Sequence, residues 1–193
     1  GDSVGDLPYE VLGMSDVMPY PSTLYNSLTE DMTDMLYSAF GKAIGKAIKD
    51  LNPDVILCHH LFLLTSMLPA IVKEFAADSF HGKIYGISHG SDLRQFQNCP
   101  FRHDAVIDGM RQLDGIFALH DDQKFQIGEL YGISDDNINV IGTGYNSQIF
   151  KMDEDTDKPQ SASPYKIIYA GKLSTAKGIF PLVEALTELD KDS

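Results

Sequence analysis

Asn52-Pro53-Asp54-Val55-Ile56-Leu57-Cys58-His59-His60 opens the part of the chain that decides the fold. Asn52-Pro53 stops a helix, because the proline ring disfavours helical backbone in the residue before it. Val55 to Cys58 is then a short apolar run with the length of a buried strand. Moving forward, Leu61 to Phe75 reads as a helix with Pro69 as a kink, and Lys83 to Ser88 as the next strand. Gly90 to Pro100 reads as a loop, Asp104 to Leu113 as a helix and Gly115 to Leu119 as a strand. Asp121 to Tyr131 is again a helix and Asn137 to Ile141 again a strand. Short apolar strands alternating with amphipathic helices predict right-handed βαβ units. The fold class is α/β, a buried parallel sheet with helices on both faces.

Moving backward from Asn52, Met32, Met35, Leu36, Phe40, Ile44, Ile48 and Leu51 recur at three and four, the stripe of an amphipathic helix. Ser27-Leu28-Thr29-Glu30 has the form of a capping box at its start. Gly41 and Gly45 lie one turn apart on it and would let a neighbouring element approach closely. The first two dozen residues are punctuated by Pro, Gly and Ser and read as loop, with one short strand at Tyr9 to Met14. Lys151 to Pro164 is acidic, then Ser- and Pro-containing, which is linker composition. Beyond it the pattern restarts, with a strand at Tyr165 to Ala170, a polar loop at Gly171 to Gly178 and a helix at Ile179 to Leu189. The expected organisation is a first domain over 1–150, a linker over 151–164 and the start of a second domain over 165–193.

Charge and composition exclude several classes. A net charge of −13 over 193 residues argues against nucleic acid, whose phosphates need clustered Lys and Arg. It gives no support for docking on an anionic membrane. No stretch approaches the roughly 18 apolar residues of a membrane span, and the N-terminus lacks the order of a secretory signal. Cys58 and Cys99 are too few for a disulfide framework, which fits a reduced, cytoplasmic setting.

In parallel α/β sheets ligands bind beyond the carboxyl ends of the strands. The residues there are His59 and His60, then His89-Gly90-Ser91-Asp92, then His120-Asp121, then Gly142-Thr143-Gly144. After the last predicted strand come Gly171-Lys172 and Lys177-Gly178. The loop Gly171 to Gly178 follows a strand and opens a helix, a geometry that holds phosphate on free backbone amides. It is not a P-loop, since Ala176 and Gly178 flank Lys177 where that motif needs Gly and Ser or Thr. A solvated turn with surface lysines is the plain alternative. Cys58, His59 and His60 do not make a metal site, because successive strand residues point to opposite faces. Cys99 and His103 could pair as thiolate and imidazole, but nothing marks a third member.

Five segments carry a resemblance. Ile167 to Gly178, continued by Leu182 and Glu184-Ala185-Leu186, resembles the strand, Gly-Arg-Leu and Lys-Gly signature of group 1 retaining GT-B glycosyltransferases. Asn52 to His60 resembles their Pro-Asp-hydrophobic-His strand, and Ser88-His89-Gly90-Ser91-Asp92 their His-Gly-x-Asp loop. Asp114 to Leu119 is similar to the strand that precedes a Ser in many members. Val140 to Asn146, with Phe150, is similar to the run before the interdomain hinge. The five come in the family's order.

The resemblance implies a Rossmann-like acceptor-side domain followed by the opening of a nucleotide-sugar domain. It implies transfer of a sugar from a nucleotide-diphosphate sugar, the co-substrate, to a glycan, lipid or small-molecule hydroxyl with retention. No metal or other cofactor is implied. Lys172 and Lys177, with Gly171, would grip the donor diphosphate, and His89 would face the reacting sugar as the catalytic-cleft residue. His59, His60, Gly90, His120 and Gly144 would line the cleft, although His120 reads equally as polar cover. Asp92 reads as a loop-capping residue. Lys172 stands where the family has Arg, which forfeits bidentate phosphate contact. Thr143 replaces the usual Asn, Gly142 the Pro and His120 the Ser. The family's first strand would lie before residue 1 and its spaced glutamate pair beyond Ser193, so the chain by itself is expected to be inactive. Ile167 to Ala170 could fill the place of that strand, within one chain or by exchange in a homodimer. The rival readings are a non-catalytic nucleotide- or sugar-binding or assembly module, and a plain α/β enzyme such as an epimerase or phosphatase.

Overall fold

A computed structural model describes residues 7–14, 18–151 and 167–191. The chain divides into two compact units, Gly1–Gly144 and Tyr145–Ser193. The first unit begins with α1 (Glu30–Leu51), followed by β1 (Val55–His59), α2 (Leu63–Phe75) and β2 (Lys83–Ile87). Next come α3 (Ser91–Asn98), α4 (His103–Met110), β3 (Gly115–Ala118), α5 (Asp121–Tyr131) and β4 (Ile138–Val140). The four strands form one all-parallel sheet in the order β1-β2-β3-β4, flanked by helices. The expected Rossmann-like α/β class is the fold observed, but the expected helical cover on both faces is not seen among the described residues of the first unit, where Val55 and Leu57 stay about half exposed.

Strands added one after another in the same direction, with right-handed crossovers, send their helices to the same face. The registers Cys58↔Gly86 and Gly86↔Ile116 put these residues in one row of that face. Ile56 and Ile84 stand beside them, and Leu61, Thr65 and Leu113 crowd Gly86. Leu61, Leu68, Ile71, Val106, Met110, Ile116, Ile127, Tyr131 and Ile138 make the buried core there. The opposite face carries Val55 and Leu57, each about half exposed at 51% and 48%, and the stacked rings of Tyr85 and Phe117.

The reason for Gly41 and Gly45 is now visible, because a β-carbon at Gly41 would strike the Phe75 ring and one at Gly45 the Phe75 β-carbon and carbonyl oxygen. The end of α2 therefore lies directly on α1. Pro69 stands inside α2 without ending it.

Several sequence expectations are corrected. Thr29, not Ser27, caps α1 by accepting from Met32 N at 3.3 Å, while the Ser27 hydroxyl donates to Leu24 O. Glu30 forms no capping box and pairs instead with Arg102 at 3.0 Å. Tyr9 to Met14 is not a strand, although Leu12 bridges Thr23. Gly90 to Pro100 is not a loop, since it contains α3.

In the second unit α6 (Ile179–Lys191) is helical, and a short 3-10 turn covers Thr175–Lys177. The expected strand at Tyr165 to Ala170 begins outside the described residues, and Ile167–Ala170 has no strand structure. A strand needs a neighbour to take its backbone hydrogen bonds. Among the described residues the sheet contains β1 to β4. The linker beyond Lys151 lies outside the described residues. Among the described residues no helix is long and apolar enough to cross a membrane.

Candidate functional site

The carboxyl ends of β1 and β2 bring three of the predicted residues together. His59 is the last residue of β1 and pairs in register with Ile87, the last of β2. His60 then takes a left-handed conformation, φ 72°, with its amide donating to Ile87 O at 2.8 Å. Two residues beyond β2, His89 turns back over this junction. His59 Nδ1 lies 2.7 Å from His89 Nε2, with the two rings stacked at 5.0 Å. The His60 ring is 4.7 Å from His89, tilted by 49°.

Asp92 organises the junction. It is fully buried, and its Oδ2 accepts from Leu61 N at 2.6 Å. Its Oδ1 accepts from His89 N at 3.1 Å and from the Ser88 hydroxyl at 3.2 Å. A buried carboxylate is tolerated because these donors replace its water shell. The residue therefore ties the β1 loop to the β2 loop. Thr65 adds a second clamp, donating to His60 O at 2.6 Å, and the buried Tyr131 hydroxyl donates to Leu61 O.

Gly90 is required by conformation: its φ is 82°, which side chains with a β-carbon rarely adopt. It caps α3 without any side-chain bond, so α3 starts beside His89.

His60 is the electrostatic exception. Its Nδ1 is buried and has no hydrogen-bond partner. Burial holds its pKa below the ordinary histidine value, partly offset by the Asp92 carboxylate and reinforced by His89 and His59. Cys58 is held above the ordinary thiol value by burial, against a hydrogen bond with Thr65 that lowers it. That thiol is poorly suited to act as a nucleophile.

His120 is the N-cap of α5, with Nδ1 accepting from Gln123 N at 3.2 Å, so its observed partner is a helix end and not the three histidines. Gly144 is exposed, and nothing lies within 4 Å of where its β-carbon would be, so no close approach demands glycine there. Gly171, Lys172 and Lys177 belong to the second unit and are exposed. Their loop is drawn around Tyr169, whose hydroxyl lies 3.0 Å from Lys172 O and 3.4 Å from Lys177 O. Cys99 and His103 form no dyad, because His103 bonds Phe96 O and stacks on the Phe96 ring at 4.0 Å.

Among the described residues no group of three His, Cys, Asp or Glu is arranged to hold a metal ion. Sequence reading found the histidines but missed the anchors Ser88, Thr65 and Tyr131. For the first two the available signal was a hydroxyl next to a strand end. For Tyr131 there was none. Comparison with protein-family models, curated proteins and solved structures gave no match for this chain.

Proposed function

We propose that this chain is part of a retaining glycosyltransferase and that its first unit is the side that receives the acceptor. The observation that carries the reading is His89, held by Asp92 at the carboxyl end of a parallel sheet, where this architecture binds ligands. The ordered run of five glycosyltransferase-like segments supports it. The donor is a nucleotide-diphosphate sugar, and the acceptor is a glycan, lipid or small-molecule hydroxyl.

In this reading Lys172 and Lys177 take up the negative charge that develops on the departing diphosphate. His89, exposed at the mouth of the site, hydrogen-bonds the sugar that is being transferred. The free cysteines fit work in the cytoplasm.

The test is to express the protein over the full reading frame of its gene and to supply a panel of nucleotide-diphosphate sugars with hydroxyl acceptors. Release of nucleoside diphosphate is followed by phosphorus NMR. Transfer should be found with retained configuration, and His89→Ala should lower it about 100-fold or more, as loss of a transition-state hydrogen bond does. Tight nucleotide binding without transfer would replace this reading with that of a binding module.

A further inference from the structure

We propose that His59 and His89 are one acid–base unit, a dyad that shares a proton and relays it across the carboxyl ends of β1 and β2. The geometry leads to this directly. Two ring nitrogens 2.7 Å apart cannot both carry protons and cannot both be bare. One donates and the other accepts, so a single proton lies between them. Both residues are exposed, and their outer nitrogens are Nε2 of His59 and Nδ1 of His89.

The relay follows from counting protons. When His59 Nδ1 donates, His59 Nε2 is bare and His89 carries its other proton on Nδ1. A proton taken up at His59 Nε2 shifts the shared proton onto His89 Nε2. His89 then releases the proton on Nδ1. The pair ends with the charge it began with, its two tautomers exchanged, and one proton has crossed the site. A ligand hydroxyl at this end of the sheet would meet a group that can accept its proton at one ring and discharge another at the second.

The surroundings leave the two rings to each other. Asp92 spends its carboxylate on Leu61 N, His89 N and the Ser88 hydroxyl and not on either dyad ring. The His60 ring lies tilted beside His89 with its Nδ1 enclosed and unpartnered. A charge there is disfavoured, so no third cation presses on the dyad. Cys58 is occupied by Thr65. Gln123, which is uncharged, is the nearest group to the outer side of Gly90.

This inference goes beyond sugar transfer and does not depend on it, so its test needs no nucleotide sugar. The whole chain, labelled with nitrogen-15, is examined by NMR at neutral pH. At neutral pH a coupling through the hydrogen bond should join His59 Nδ1 to His89 Nε2, with one downfield shared proton. It should vanish in His59→Gln and in His89→Gln while surviving in His81→Gln, a histidine outside the cluster. Absence of the coupling in the unmodified chain, with both rings protonated on Nε2 and exchanging separately with water, would overturn the dyad. The unmodified chain decides the matter even if a variant fails to fold.

Discussion

The two units of this chain hold the same kinds of side chain and use them in opposite ways. In Gly1–Gly144 Ile71 is 0% exposed, and the apolar residues of successive elements meet in one core. In Tyr145–Ser193 Ile168 is 89% exposed, and Leu173, Phe180, Val183 and Leu189 are all more than half exposed. A single turn and helix cannot enclose these side chains, since a small piece buries too little apolar surface to offset its conformational entropy. The difference bears on function. The histidine junction is positioned by buried anchors, whereas among the described residues the loop bearing Lys172 and Lys177 is held by the half-buried Tyr169 hydroxyl and by its own turn, through Lys177 N to Ser174 O and Gly178 N to Thr175 O.

The strongest way to break this comparison is to make one substitution in both units. Ile71→Ala should cost about 2–5 kcal/mol, the usual loss for emptying a core site, and lower the urea midpoint accordingly. Ile168→Ala should change stability by less than about 0.5 kcal/mol. Equal effects would mean that the second unit carries a core of its own.

Asp92→Ala sharpens the account of the site by stranding Leu61 N, His89 N and the Ser88 hydroxyl. It should cost about 1–3 kcal/mol for the buried donors left without an acceptor. Lys172→Ala should leave the midpoint unchanged within error. Gly90→Ala forces a β-carbon into a left-handed conformation and should cost about 1–2 kcal/mol, measured by the same denaturation.

The pH dependence is the smallest effect. His60 has its folded pKa below the unfolded value of 6.5. Between the two the unfolded chain binds a proton that the folded chain does not, so stability falls as pH drops below about 6.5. His60→Gln should flatten that part of the urea-midpoint profile, and an unchanged slope would place the acid sensitivity elsewhere.

The sheet was legible in the sequence because each strand is a short apolar run between helix or turn signals, and every predicted strand from Val55 to Ile141 forms. Helix α3 was not. In Ser91–Asn98 only Leu93 and Phe96 are apolar, and the burial of Asp92 and Gln95 reflects the tertiary fold. The cap of α1 was misread because Ser27 and Thr29 both fit a cap. The burial of Leu28 goes with a helix that begins after it. Ile167–Ala170 was misread for the opposite reason, since strand-forming residues do not make a strand without a partner.

The histidines of the site were visible as strand-end residues. Their pairing was not, because it depends on the register His59↔Ile87 and on the left-handed turn at His60. Neither the register nor the turn is written in local sequence. His120 gave no sign of being a helix cap, since histidine is not among the side chains that usually serve there.

Hydrogen exchange on the whole chain tests most directly the claim that the histidine site rests on a self-sufficient unit and the lysine loop does not. Amides of Ile84–Ile87 and Ile116–Ala118 should exchange only through global unfolding, while those of α6 should exchange orders of magnitude faster. Protection of α6 equal to that of β2 and β3 would contradict the account and give the second unit a core that the exposed side chains do not supply.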